Sequence, residues 1–176
     1  HTGLFPEQAV KWDWMRQLIQ NEDRQVNVLN LFGYTGGATV ACASAGAKVC
    51  HVDAAKGMVE WAKENARLNG LAESPIRWIV DDAHKFMRRE IRRGRSYDCI
   101  ILDPPSFGRG AGGEMYKIER DLKDTLQLVK ELLSPKPRFV LFSSHTPGLS
   151  QIVAENILSQ LFKDALIESG EMLLEG

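Results

Sequence analysis

Short, continuous apolar runs alternate with segments of helical period along most of this chain, and this alternation limits the folds open to it. Runs that are apolar throughout are typical of strands buried on both faces of a parallel sheet. Repeated strand–helix–strand order therefore predicts an α/β fold of the Rossmann-like type, a mostly parallel twisted sheet with helices on both faces. The predicted strands cover residues 26–32, 48–53, 76–81, 97–103 and 138–145.

Helical periods fill the intervals between these strands. Gly46 and Gly70 stand at the ends of two of them, where a glycine commonly terminates a helix. Directly after residue 107 the chain has four glycines in six residues, which could form either a mobile lid or a slack connection. The predicted helices cover residues 6–21, 37–45, 55–69, 83–93, about 115–133 and 150–163.

The first predicted strand leads into a glycine-rich turn, and Asp53 ends the second strand about twenty residues later. This arrangement can hold an adenosine, since backbone amides face the ligand and the acid accepts hydrogen bonds from the ribose hydroxyls. The glycine order is Gly33-x-x-Gly36-Gly37, which lacks the second glycine of the dinucleotide motif G-x-G-x-x-G. That glycine gives a pyrophosphate room against the backbone, so a phosphate-free nucleoside such as S-adenosylmethionine fits this turn better than NAD.

Polar residues follow the other predicted strands as well, at 81–82, 103–107 and 143–145. Ligands of open parallel sheets bind beyond the carboxyl ends of the strands, where the strand order reverses. Loops between strands and helices are polar in any case, which is the alternative interpretation. Acids after three strands, together with the glycine turn, favour a cofactor site at this edge.

Composition sets limits on the partners and the surroundings of the chain. Its 176 residues suffice for one domain, and with a net charge of −1 any nucleic acid must be held by local patches or by residues outside the chain. No apolar run approaches the roughly 20 residues that cross a bilayer. Cys42, Cys50 and Cys99 lie isolated among apolar neighbours, which indicates buried reduced thiols and a cytoplasmic protein. Because the chain starts at His1 without methionine and stops at Gly176, we expect residues 1–176 to be a piece of a longer protein.

A family resemblance rests on five segments taken together, one of which runs from Glu64-Asn65 through Leu68-Asn69-Gly70. Together with the other four, Leu29-Asn-Leu-Phe-Gly-Tyr-Thr-Gly-Gly37, Val52-Asp53, Asp82-Ala83 and Leu102-Asp-Pro-Pro-Ser-Phe107, it resembles class I methyltransferases that use S-adenosyl-L-methionine. The likeness is greatest to the 23S ribosomal RNA large-subunit methyltransferases, which include cytosine carbon-5 and guanine N7 enzymes. It implies S-adenosyl-L-homocysteine as a product, 23S ribosomal RNA as the partner, and a parent protein with an N-terminal RNA-positioning domain and further C-terminal strands.

The resemblance also implies a role for each matching residue. Asp53 would hold the ribose hydroxyls, Asp82 would accept from the adenine amine, and Ala83 would offer its backbone N–H to the ring. The segment 2–8 is similar to one that closes over the cofactor in this group, although Ala9 here replaces an arginine that often follows the glutamine. The implied cofactor-binding residues are Gln8, Phe32, Gly33, Tyr34, Thr35, Gly36, Gly37, Asp53, Ala54, Asp82, Ala83 and Asp103; the implied catalytic residues are Asp103 near the methyl donor, Pro104 and Pro105 shaping the pocket for the target base, and Phe107.

The cysteine positions bear on which atom could be methylated. Carbon 5 of cytosine is unreactive until a cysteine thiolate adds to the ring. Cys99 lies about 13 Å along its strand from Asp103, and residues 143–145 read Ser-Ser-His where related cytosine enzymes carry a cysteine. Carbon-5 methylation is therefore disfavoured, and guanine N7 or an exocyclic amine remains. Phe107 could stack on the base or fill the core, and His145 could accept a proton or be structural.

Several features stay open at this level. The basic stripe of Lys85, Arg88, Arg89 and Arg92 is either a solvated helix face or a secondary RNA contact, and Arg109 is better placed to touch a substrate. The tryptophans are interpreted as packing residues, and no metal site is expected.

Alternatives to an RNA substrate are a small molecule or a protein, and the chain could also be a cofactor-binding or RNA-binding module without catalysis. The oligomeric state is not predicted.

Overall fold

The computed structural model describes residues 3–109 and 115–172. Its strands are β1 (Asn27–Leu31), β2 (Lys48–Asp53), β3 (Ile76–Val80), β4 (Cys99–Leu102), β5 (Phe107–Arg109), β6 (Met115–Lys117) and β7 (Phe139–Phe142). Five of them form one parallel sheet in the order β3-β2-β1-β4-β7. All five predicted sheet strands are confirmed, although most are a residue or more shorter than predicted because their ends pass into loops.

The described residues also form six α-helices: α1 (Ala9–Gln20), α2 (Gly37–Ser44), α3 (Lys56–Leu68), α4 (Ala83–Arg92), α5 (Ile118–Leu132) and α6 (Gln151–Leu161). A short 3₁₀ turn, Pro6–Gln8, precedes α1. Gly46 and Gly70 adopt the left-handed conformation just beyond α2 and α3, as predicted. No helix in the described ranges is long and apolar enough to cross a membrane.

Successive residues of a buried strand point to opposite faces of the sheet, and each face carries its own core. On one face, Val28 packs with Met15 of α1 and Cys42 of α2. On the other, Leu29 packs with Phe86 of α4 and with α5. The strands are buried from both sides, which explains why their sequences are continuously apolar.

The chain reverses its direction of travel across the sheet at β1. The strands β2 and β3 lie on one side of β1, and β4 and β7 lie on the other. The carboxyl ends of β1 and β4 are therefore adjacent and flank the point where the strand order reverses. This is where an α/β sheet leaves a crevice for a ligand.

The start of one predicted helix is wrong, although the helix itself is present. The helix expected from about residue 115 begins at Ile118, and Met115–Lys117 is instead a strand paired antiparallel with Phe107–Arg109. Strands of three residues are too short to show a period of two. The Asp121 carboxylate accepts a hydrogen bond from the Lys117 backbone N–H at 2.8 Å, which fixes the junction between the hairpin and α5. Residues 110–114, the centre of the expected lid or slack connection, lie outside the described residues.

Candidate active site

A cavity of about 640 Å³ opens at the carboxyl edge of the sheet, between the loops that follow β1 and β4. Segments far apart in the chain line it, and they include all the residues predicted to bind the cofactor. Phe107 is not among the lining residues. The predicted residues that line the cavity are Gln8, Phe32, Gly33, Tyr34, Thr35, Gly36, Gly37, Asp53, Ala54, Asp82, Ala83, Asp103, Pro104 and Pro105.

The turn after β1 has an unusual backbone. Phe32 and Tyr34 have φ angles of 55° and 48°, in the left-handed region that residues with side chains rarely adopt. A Cβ at Gly33 would lie 2.4 Å from Cε1 of His51, and a Cβ at Gly36 would lie 2.9 Å from that of Ala62. Glycine is thus required at both positions by close neighbours. Strained backbone of this kind persists at binding sites because the surrounding structure holds it in place.

Asp53 ends β2 and fixes the shape of this turn. Its carboxylate accepts hydrogen bonds from the backbone N–H of Tyr34 at 2.9 Å and from that of Ala55 at 2.8 Å. An ionised carboxylate offers about four lone-pair sites. Asp53 can therefore hold the turn and still accept hydrogen bonds from a ligand hydroxyl.

A buried polar chain supports the turn from below, and sequence reasoning missed it. The Asn30 side-chain amide donates to the Thr39 hydroxyl at 2.9 Å, and that hydroxyl lies 2.9 Å from Nδ1 of His51. His51 is fully buried, and burial lowers its pKa to about 4. The imidazole is therefore neutral and serves as a rigid surface against Gly33. Only the three-dimensional contact identifies it, because an isolated histidine inside an apolar strand carries no motif.

Two acids after β3 orient the start of α4. The Asp82 carboxylate accepts from the Lys85 backbone N–H at 2.9 Å and so caps the helix. Asp81 accepts from the Asp82 backbone N–H at 2.9 Å, and its other oxygen lies 2.6 Å from a guanidinium nitrogen of Arg89. Ala83 is the first residue of α4, where backbone N–H groups lack partners within the helix. The pair Asp82-Ala83 thus presents an acceptor and a donor to the cavity.

Asp103 follows β4 at the opposite end of the cavity. Its carboxylate accepts a hydrogen bond from the Gln8 amide at 3.0 Å, and the Ser143 side chain also faces it across the cavity. Nε2 of His145 lies 3.9 Å from the same oxygen that Gln8 contacts. Burial raises the pKa of Asp103, and His145, Gln8 and Ser143 partly oppose this shift.

The segment before α1 lies across the cavity wall. The Thr35 hydroxyl donates to the carbonyl of Gly3, and the Gly3 backbone N–H donates to the Tyr34 hydroxyl at 3.4 Å. The ring of Phe5 lies 5.9 Å, centroid to centroid, from the rings of both Tyr34 and His145. The sequence assigned Phe5 only to the closing segment 2–8, and the structure places its ring between Tyr34 and His145. Thr2 of the predicted closing segment lies outside the described residues.

Phe107 is 60% exposed, and Nζ of Lys117 lies 5.6 Å from its ring centroid. It therefore does not fill the core, and its predicted stacking role stays a prediction.

In the basic stripe, Arg88 pairs with Asp124 at 2.7 Å, and Arg89 pairs with Asp81 as described above. These ion pairs engage part of the stripe within the protein. The side chain of Arg109 lies outside the described part of the structure.

The chain's three cysteines are buried and free, and none lines the cavity. Burial raises the pKa of Cys50 to about 11 and that of Cys99 to about 12, and it raises that of Cys42 further. A thiol that stays protonated and enclosed in the core cannot attack a base. Within the described residues there is also no group of three or more histidine, cysteine or acidic side chains that could hold a metal ion.

Comparison with known proteins decides the family. Residues 1–155 match the family model described as S-adenosylmethionine-dependent methyltransferase. The chain belongs to this family. Ribosomal RNA large subunit methyltransferase I of Aeromonas salmonicida is 31% identical over 170 residues, which are 96% of this chain and 40% of that protein. The methyltransferase chain thus spans about 40% of the length of this curated relative.

Solved structures agree with this assignment. A SAM-dependent methyltransferase from Agrobacterium tumefaciens superposes with a TM-score of 0.90 at 45% identity, over 92% of this chain and 52% of that one. A putative methyltransferase complexed with SAH (S-adenosylhomocysteine) superposes with a TM-score of 0.79 at 26% identity, over 93% of this chain and 42% of that one. The predicted Rossmann-like fold, family and cofactor class of this methyltransferase are therefore confirmed.

The residues of the methyltransferase site fit this cofactor. The cavity volume lies within the roughly 300–1,000 Å³ usual for small-molecule sites. The place of the second dinucleotide-motif glycine is taken by Thr35, which is bound to the Gly3 carbonyl, so the turn is closed where a pyrophosphate would approach. The carboxylates of Asp53 and Asp82 lie at one end of the cavity, and the other end carries Asp103 and the two prolines.

Proposed function

We propose that this chain is the catalytic domain of a methyltransferase that transfers a methyl group from S-adenosylmethionine to a base of large-subunit, 23S, ribosomal RNA. The observation that carries the proposal is the convergence of the glycine turn, Asp53, Asp82-Ala83 and the Asp103-Pro-Pro corner on one cavity. The name of the Aeromonas relative supports ribosomal RNA as the substrate. We also propose that the domain belongs to a longer, cytoplasmic protein.

In this proposal each group of residues that lines the cavity has a role. The turn from Phe32 to Gly37 encloses the methionine and ribose parts of the cofactor, with Asp53 accepting from the ribose hydroxyls. Asp82 and Ala83 recognise the adenine edge. Gln8 orients Asp103 through the 3.0 Å hydrogen bond, and Pro104 and Pro105 shape the pocket for the target base.

When bound, the cofactor supplies a methyl group activated by a positively charged sulfur. The protein's contribution is to align the nucleophile with the methyl carbon, which is worth about 7–11 kcal/mol of the barrier in well-oriented systems. Since none of Cys42, Cys50 and Cys99 lines the cavity, no thiol of this chain is placed to activate cytosine carbon 5. The target is then an atom that attacks with its own lone pair.

Cofactor binding tests the first part of the proposal. Isothermal titration of the chain with S-adenosylhomocysteine should show binding, and Asp53→Ala should weaken it about 10- to 100-fold, since hydrogen bonds to a charged group contribute about 1.5–3 kcal/mol. Asp53→Asn keeps one side-chain acceptor, so its affinity for S-adenosylhomocysteine should lie between those of the wild type and Asp53→Ala. Asp23→Ala, at an exposed position that does not line the cavity, is the matched control. Equal affinity in all four proteins would refute the ribose assignment.

RNA modification tests the second part. The full-length protein is incubated with labelled cofactor and ribosomal RNA from cells that lack its gene. Label should enter 23S RNA and be absent when the RNA comes from cells that retain the gene. Label that appears only in a small-molecule or protein fraction would refute RNA as the substrate while leaving the methyltransferase assignment intact.

A further inference from the structure

Asp103 is surrounded by side chains from two separate segments. Gln8 and Glu7 face it from the 3₁₀ turn, and Ser143 and His145 face it from the loop after β7. Its side chain is 29% exposed, so the carboxylate is largely withdrawn from water but still accessible from the cavity. A carboxylate in such surroundings is more basic than one in water, because burial disfavours its charged form.

His145 connects this carboxylate with solvent. Nε2 lies 3.9 Å from Oδ2 of Asp103, within reach of a small shift of the ring. The side chain is 51% exposed, and its ring stacks on Phe5 at an interplanar angle of 27°. The imidazole therefore faces the buried carboxylate, stacks on Phe5 and is partly open to water.

We propose that Asp103 and His145 act as a proton-accepting pair, and that the atom methylated by this enzyme is a nitrogen that carries hydrogen, such as an exocyclic amine of a base. This inference rests on the proposed function and deepens it. Asp103 is the catalytic residue, and His145 is a positioning residue that acts through it.

The step balances without any further reactant. The lone pair of the target nitrogen forms the bond to the methyl carbon as the carbon–sulfur bond breaks, and that electron pair stays on the sulfur. The nitrogen loses its proton to the Asp103 carboxylate. His145 takes the proton at Nε2 and releases it to water, which restores the carboxylate for the next turnover.

The alternative nucleophile left by the sequence, guanine N7, makes no use of such a pair. N7 carries no hydrogen, so its methylation releases no proton from the attacking atom. Asp103 is a proton acceptor of raised pKa, and the half-exposed imidazole of His145 lies beside it. This arrangement suits a substrate that must lose a proton. General-base groups work best when their pKa approaches the working pH, and the burial of Asp103 moves its pKa in that direction.

Two variants of the full-length protein separate a proton role from packing. His145→Phe keeps a ring against Phe5 but removes both nitrogens, whereas His145→Asn keeps polarity and removes the ring. Both should lower kcat/KM on undermethylated ribosomal RNA about 10- to 100-fold at pH 7, with the affinity for S-adenosylhomocysteine within about threefold of wild type. The imidazolium lowers the pKa of Asp103, so the acid limb of the pH–rate profile should move to higher pH in both variants. His84→Asn, a histidine that does not line the cavity, should leave this limb in place.

Two further measurements complete the test. Mass spectrometry of digested RNA should find the new methyl group on an exocyclic amine; 7-methylguanosine or a carbon-methylated base overturns the inference even if transfer occurs. Full activity and an unmoved acid limb in His145→Phe also overturn it, since His145 would then only pack against Phe5. Independently of turnover, carbon NMR should show a higher Asp103 pKa in His145→Phe, and an unchanged titration overturns the pair. Failure of the wild type to bind S-adenosylhomocysteine or label RNA would instead count against the proposed function.

Discussion

Single contacts around the glycine turn decide whether the cofactor site can form. Gly33 lies against the ring of His51, which the Thr39 hydroxyl contacts at Nδ1. Its neighbours Phe32 and Tyr34 already occupy the left-handed region, so the turn has little freedom to move away from an added group. The turn is therefore specified by a steric contact from a neighbouring strand as well as by its own glycines.

Gly33→Ala tests this contact. The added Cβ would lie 2.4 Å from Cε1 of His51, and we expect a loss of about 1–3 kcal/mol of stability with a strong loss of S-adenosylhomocysteine binding. Gly57→Ala is the matched control, because its Cβ has no neighbour within 4 Å and alanine favours the helix by about 0.5–1 kcal/mol. Chemical denaturation and calorimetric titration measure the two effects. Wild-type affinity in Gly33→Ala would show that the turn can move after all.

At the scale of elements, helix starts carry both stability and recognition. Asp82 caps α4 from within the cavity wall, while Ser150 caps α6, accepting a hydrogen bond from the Val153 backbone N–H at 3.4 Å, and does not line the cavity. Both helices thus begin with a side-chain cap, and only the cap of α4 lines the cavity. This difference allows the two roles of Asp82 to be measured separately.

Asp82→Ala and Ser150→Ala should each destabilise the fold by about 0.5–2 kcal/mol, as expected for removal of a helix cap. Only Asp82→Ala should also weaken S-adenosylhomocysteine binding, because it removes the proposed acceptor for the adenine amine. Thermal or denaturant unfolding gives the first quantity, and isothermal titration gives the second. Equal affinity in the two variants would limit Asp82 to a structural role.

Across the whole molecule, the pKa of a buried aspartate shifts in opposite directions at the two edges of the sheet. At the amino edge, burial acts to raise the pKa of Asp98, but hydrogen bonds from the Asn27 backbone N–H, Arg24 and Ser134 hold it below its usual value. At the carboxyl edge, burial dominates and the pKa of Asp103 is raised. Asp98, which has several hydrogen-bond partners, links β1 to the start of β4. Asp103 has fewer hydrogen-bond partners and faces the cavity.

The buried His51 makes global stability depend on pH. The unfolded chain binds a proton at this histidine near pH 6.5, whereas the folded protein does so only near pH 4. Stability should therefore fall as the pH decreases from about 6.5 to 4, by about 3 kcal/mol from this group, and not further below that range. His84, whose pKa burial also lowers, acts in the same direction. Denaturant unfolding of wild type and His51→Gln at several pH values isolates the contribution of His51, and parallel curves would contradict it.

The sequence by itself determined the order of strands and helices, the glycine turn, and the acids at the strand ends. These follow from apolar periodicity and from motifs within a few residues of one another, so they can be read along the chain. Only the tertiary structure decided the contact of His51 with Gly33, the approach of His145 to Phe5 and Asp103, the β5–β6 hairpin and the outward position of Phe107. Each depends on residues distant in sequence, or on elements too short for periodicity, and the folding of the chain around the sheet sets those distances.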